Sequence, residues 1–109
     1  MAVNNIPTLQ DFKNTISSPT PTVVMFDDSA MGSAKHIAPE YEKAASEGGY
    51  GGVSFYKLDI RKVEGIRDEV QIRGLPTFVV FKNGGTVQEV MTSNPDRLRE
   101  LLGQAASVA

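Results

Sequence analysis

From Thr22 to Asp27 the chain reads Thr-Val-Val-Met-Phe-Asp. Four consecutive apolar side chains without polar alternation fit a strand covered on both faces, as parallel sheets require. Upstream, Leu9, Phe12 and Ile16 recur at spacings of three and four, with Asp11 three residues after a Thr8 cap, and predict a helix over 9–16. The prolines of Ser-Ser-Pro-Thr-Pro-Thr end it. Downstream, residues 33–47 have helical composition, with Ile37, Tyr41 and Ala44/Ala45 on one stripe and Pro39 placed to kink it. Gly-Gly-Tyr-Gly-Gly at 48–52 terminates it.

Residues 53–59 read as a second inner strand, and 62–70 as a short helix carrying Val63, Ile66 and Val70, weakened by Gly65. Thr77–Lys82, an Asn-Gly turn and Thr86–Met91 form the strongest local signal, an antiparallel hairpin. Asn94-Pro95-Asp96 opens a last helix with Leu98, Leu101 and Leu102 on one face, and the tail Gln-Ala-Ala-Ser-Val-Ala is expected to fray. The predicted order is helix, strand, helix, strand, helix, hairpin, helix.

With 109 residues, 40% apolar and 22% charged, the pattern suits one compact domain over 1–109. A net charge of −2, its cations scattered and nowhere denser than Lys57/Arg61/Lys62, gives no footprint for nucleic acid or anionic membrane. No apolar stretch approaches the roughly 20 residues of a membrane span, and Met-Ala-Val-Asn-Asn-Ile-Pro lacks signal-peptide character, so a soluble, cytoplasmic, monomeric protein is expected. The chain has no cysteine, which removes disulfides, thiolate metal sites and thiol nucleophiles together.

The remaining candidates for chemistry are sparse. Asp27 and Asp28 stand at a strand end, but adjacent extended residues point opposite ways, and both read as solvated loop residues. His36 is the only histidine and reads as a surface residue, since a metal would need further ligands. Ser33 has no evident base. The 48–52 glycines lack the Gly-Lys-Ser/Thr ending of a phosphate loop. No cofactor or metal is expected.

Several motifs nevertheless point together. Val23–Phe26 leads into a turn containing Gly32. Lys35 and Ile37-Ala38-Pro39 follow, then Lys57-Leu58-Asp59, Ile72-Arg73-Gly74-Leu75-Pro76-Thr77 and Phe81-Lys82-Asn83-Gly84. On these residues the chain resembles the thioredoxin family over nearly its whole length. The resemblance implies an α/β thioredoxin fold: a central mixed sheet with parallel inner strands and a C-terminal antiparallel hairpin, flanked by helices on both faces. It also implies a cis proline at Pro76 facing the turn.

Where the family carries Trp-Cys-Gly-Pro-Cys-Lys, this chain has Ala30-Met31-Gly32-Ser33-Ala34-Lys35. Thiol–disulfide exchange needs an attacking thiolate and a resolving thiol, so the redox reaction is not expected and neither is enzyme activity. The family's buried proton-relay Asp aligns with Met25, and the glycine that lets substrate backbone approach aligns with Met91, whose side chain should narrow the groove. Met31 and Met91 are expected near Pro76 at the surface with Met25 beneath, as volume fillers or as an adaptable apolar patch.

The resemblance therefore points to a redox-inactive protein that binds a protein or extended peptide. The implied groove is Ala30, Met31, Gly32, Ser33, Ala34, Leu75, Pro76 and Met91, with backbone pairing at Leu75-Pro76. The alternatives are a cysteine-replaced or diverged member of the disulfide-reductase family, and a scaffold using the charged face of 61–69.

Overall fold

The computed structural model describes residues 2–109. In chain order the elements are β1 (Val3–Asn5), α1 (Leu9–Ile16), β2 (Thr22–Asp27), α2 (Ala38–Glu47), β3 (Ser54–Asp59), α3 (Ile66–Glu69), β4 (Thr77–Lys82), β5 (Gly85–Met91) and α4 (Pro95–Ser107). The strands form one five-stranded sheet in the order β1-β3-β2-β4-β5. β1, β3 and β2 run parallel, while β4 is antiparallel to both β2 and β5. This is the thioredoxin fold.

The unbroken apolar run of β2 is explained by the two cores it feeds. Val23 and Met25 join Phe55, Phe78, Ile37, Tyr41 and the leucines of α4 on one face. Val24 and Phe26 join Phe12, Leu58, Ile66, Val79 and Phe81 on the other. A strand with both faces buried gains by being apolar at every position.

Five expectations are corrected. The sequence predicts no strand before α1, because Val-Asn-Asn has little strand propensity. β1 forms by parallel pairing with β3, and Val3 supplies the one buried side chain. α2 begins at Ala38, since residues 31–37 form turns, and Pro39 sits in its first turn. A proline there lacks only a donor that would have had no helical acceptor, so it does not kink the helix.

The helix over 62–70 contracts to the single turn of α3, because Gly65 takes the left-handed conformation at φ 85°. At the other end, α4 continues to Ser107 and does not fray early. Ala105 is buried in the core, and Lys82 Nζ donates to the Val108 carbonyl at 2.6 Å.

Candidate functional site

The register sets the geometry. Phe26 of β2 stands opposite Thr77 of β4, which stands opposite Met91 of β5. The loop leaving β2, the loop entering β4 and the end of β5 therefore emerge at one end of the sheet. The candidate residues Ala30–Ala34, Leu75–Pro76 and Met91 are brought to that end by these three loops.

The loop after β2 is built from tethers. Its backbone turns through the N–H groups of Met31 and Gly32, which both donate to the Asp28 carbonyl at 3.0 and 3.3 Å, and Lys35 N–H donates to Gly32 O at 3.1 Å. Gly32 takes φ 63°, which suits a residue without Cβ. Ala34 and Ile37 are buried, and Ala38 N–H bonds back to Ala34 O at 2.8 Å, so the loop is fastened into the core where α2 starts.

The acidic residues at the start of this loop correct the expectation that they are merely solvated. Asp28 is buried, and its Oδ1 accepts from Arg61 Nε at 3.0 Å and from Ala30 N–H at 2.9 Å. The Arg61 hydrogen bond, then the Ala30 N–H, hold its carboxyl below the ordinary aspartate value. Asp28 in turn raises the Arg61 guanidinium. For Asp59, burial pushes the carboxyl up, but hydrogen bonds from Ser29 and Arg61 outweigh this and leave it lowered.

Asp27 is half-buried at the end of β2, and its Oδ1 accepts from Ser33 Oγ. Ser33 thus has a carboxylate partner that sequence reading did not find. The contact fastens the turn to the end of β2. Asp27 and Asp28 indeed reach different partners, as adjacent extended residues should.

Beneath the loop, Met25 is 5% exposed and shares one apolar cluster with buried Ala34. Met25 also edges a cleft of ≈ 420 Å³ with Asp27, Ser29, Lys57 and Asp59. Lys57 lies directly across from Met25 in the sheet register and forms no ion pair among the described residues.

Across the loop, the Leu75–Pro76 peptide bond is cis, as the resemblance implied, and Pro76 is buried. Pro76 O accepts from Thr92 N–H at 3.2 Å, and Gly74 O accepts from Thr77 Oγ. Leu75 is half-buried, and neither its N–H nor its C=O bonds to another backbone group among the described residues.

Met31 and Met91 are 69% and 58% exposed; with Val87 they are the large apolar side chains left in solvent among the described residues. Met91 lies over Gly74, where a Cβ would collide with the Met91 Sδ. Ala30, Gly32 and His36 are exposed, and Ser33 is half-buried.

Sequence reading missed the tethers Asp28–Arg61, Ser29–Asp59 and Ser33–Asp27, and the seating of Met91 on Gly74. Nothing local marks Arg61 as the partner of a residue 33 positions away. The expected placing of Met91 near Pro76 pointed to this neighbourhood, but not to the seat on Gly74 itself. No helix among the described residues is long and apolar enough to cross a membrane.

Comparison with known proteins gives a consistent result. The family model described as Thioredoxin matches residues 3–104. Over 102 residues the chain is 33% identical to thioredoxin from Malassezia sympodialis, covering 94% of this chain and 97% of that protein. It is 32% identical to Thioredoxin-2 of Pyricularia oryzae, again over 94% of this chain but only 58% of that longer protein. The crystal structure of the Malassezia sympodialis protein superposes with a TM-score of 0.89 over 95% of this chain and 90% of that one. Plasmodium falciparum thioredoxin gives 0.86 at 29% identity over 94% and 98%.

Proposed function

Since the chain belongs to the thioredoxin family and yet contains no cysteine, we propose that it works without thiol chemistry, by holding an extended segment of another protein at the end of the sheet where the family's dithiol would stand. The backbone of Leu75 pairs with the segment, and Ala30, Met31 and Met91 supply apolar contact, with Gly32, Ser33, Ala34 and Pro76 shaping the floor. Met25 packs below in place of the proton relay.

One observation carries this reading. Among the described residues, the N–H and C=O of Leu75 bond to no other backbone group and stand at the same end of the sheet as the two most exposed large apolar side chains. Free backbone groups give an incoming strand its hydrogen bonds, and neighbouring apolar surface gives it side-chain burial. Met25 and Ala34 share one apolar cluster, which suits a site relieved of proton transfer.

The test is a random-peptide display selection on the intact protein, with amide chemical shifts used to map where the enriched peptides bind. Peptides should perturb Leu75 and the 30–34 turn. Met31→Glu should weaken them roughly ten- to a hundredfold, the equivalent of losing about 1.5–3 kcal/mol of apolar burial. No enrichment, or binding indifferent to Met31→Glu, would reject the groove as the working surface.

A further inference from the structure

Methionine is the only sulfur-bearing residue type in this chain, at positions 1, 25, 31 and 91. The three described sulfurs differ sharply in setting. Met25 is 5% exposed at the edge of a cleft, whereas Met31 and Met91 stand mostly in solvent. A thioether sulfur carries a nucleophilic lone pair without first losing a proton, and its oxidation follows exposure. With no thiolate in the chain to compete, the exposed thioethers are the groups a peroxide oxidises first.

The packing of Met91 gives such an oxidation a structural consequence. Relative to the position of an ideal Cβ on Gly74, the Met91 sulfur overlaps, while its Cε and Cγ lie 3.4 and 3.7 Å away. The end of the side chain therefore rests directly on the Gly74 backbone, a seat that exists because residue 74 has no side chain. An oxygen added to sulfur there needs room, and the sulfur already fills the place that a Gly74 Cβ would take. The larger, polar sulfoxide therefore fits better once lifted away from Gly74 toward water.

We propose that Met31 and Met91 are a methionine-sulfoxide modification site for hydroperoxide-class oxidants, at which oxygen transfer makes the apolar rim of the Leu75–Pro76 loop polar and displaces Met91 from Gly74. In each transfer the sulfur lone pair forms an S–O bond to one peroxide oxygen as the O–O bond breaks. The other oxygen takes the electron pair and the hydroperoxide proton and leaves as water or an alcohol. Sulfur is oxidised by two electrons and the peroxide is reduced by two. The modification stands on the exposure and seating of these side chains. Its consequence, release of a bound segment, rests on the peptide-binding reading above. Reversal requires a methionine sulfoxide reductase.

The experiment treats the intact protein with hydrogen peroxide, quenches at intervals and maps oxygen addition by peptide mass spectrometry. Met31 and Met91 should convert at least about tenfold faster than Met25, which is only 5% exposed. Amide signals of Gly74, Leu75 and Thr77 should shift in step with Met91 oxidation. They should stay put in Met91→Leu, which keeps an apolar side chain but has no sulfur. Equal rates at all three positions, or an unmoved Gly74 signal at full Met91 conversion, would overturn the modification site.

For the consequence, the display-selected peptides are titrated into oxidised protein. Affinity should fall about tenfold and return after sulfoxide reductase treatment. Full-strength binding by the oxidised protein would overturn the regulatory step. If unoxidised protein binds no selected peptide, the peptide-binding reading and its regulatory corollary fall together, and the mass-spectrometric rates still decide the modification site.

Discussion

Two reversals of the chain show two ways of building a turn. At Asn83–Gly84 the backbone adopts φ 55° and 85°, and those two residue types are the ones that tolerate it. The 28–37 turn uses one such position, Gly32, and otherwise depends on Arg61, Asp59 and Asp27 reaching its side chains and backbone, together with Ile37 and Ala34 buried at its far end. The hairpin turn takes its shape from its own two residues, and its Asn83 and Gly84 N–H groups then donate to Ser18 O and Ile16 O at 2.8 Å each. The other exists only once strands β2 and β3 have been paired, because pairing is what brings Asp59 alongside Asp27. A turn held from outside keeps its course through those tethers and places little demand on its central Met-Gly-Ser-Ala residues.

The largest expected effect strikes the externally held turn. Ile37 is fully buried, and Ile37→Ala should cost about 2–5 kcal/mol in chemical denaturation through lost burial and the cavity left behind. A loss below about 1 kcal/mol would mean the core relaxes around it and the turn is anchored elsewhere. Gly84→Ala probes the locally specified turn. A Cβ at Gly84 would meet nothing within 4 Å, so the cost is conformational alone, about 1 kcal/mol for forcing a side chain into the left-handed region. A neutral result would show the hairpin relaxing to another turn type.

The third contrast is in pH. The folded Asp28 and Asp59 carboxyls lie below their ordinary values, so the unfolded chain binds more protons through that range. Their contribution is complete above the unfolded aspartate value near 4 and is lost as pH falls through the lowered folded values. Acid denaturation midpoints should show this, and Asp28→Asn should flatten the acid limb while leaving the Asn83–Gly84 turn's amide signals in place. An acid limb as steep as that of the unaltered protein would remove Asp28 from the tethers that matter.

How much was legible follows the same division. β2, β4, β5, α1 and the hairpin turn could be read because period, cap and turn chemistry act within a few residues. β1 could not, since Val-Asn-Asn forms a strand only by borrowing the edge of β3. The start of α2 was misplaced because residues 33–37 have helical composition but are spent turning the chain. Met25 is buried and Met31 and Met91 are exposed, the layering expected from the family resemblance, whereas Ala34 and Pro76, expected to line the groove, are buried. The partners of Asp27 and Asp28 had no sequence signal, since ion pairs and side-chain tethers carry no periodicity.

The sequence by itself determined the apolar strands, the caps, the Asn-Gly reversal and the absence of any thiol, because each depends on the covalent nature of a residue or its nearest neighbours. Tertiary structure alone decided that Arg61 closes over Asp28, that Ser33 turns to Asp27 and that Met91 settles on Gly74, while Leu75 pairs with no other backbone group among the described residues. These arrangements join residues far apart in the chain, and their geometry is set by the register of a sheet that forms only when two hydrophobic cores are buried together.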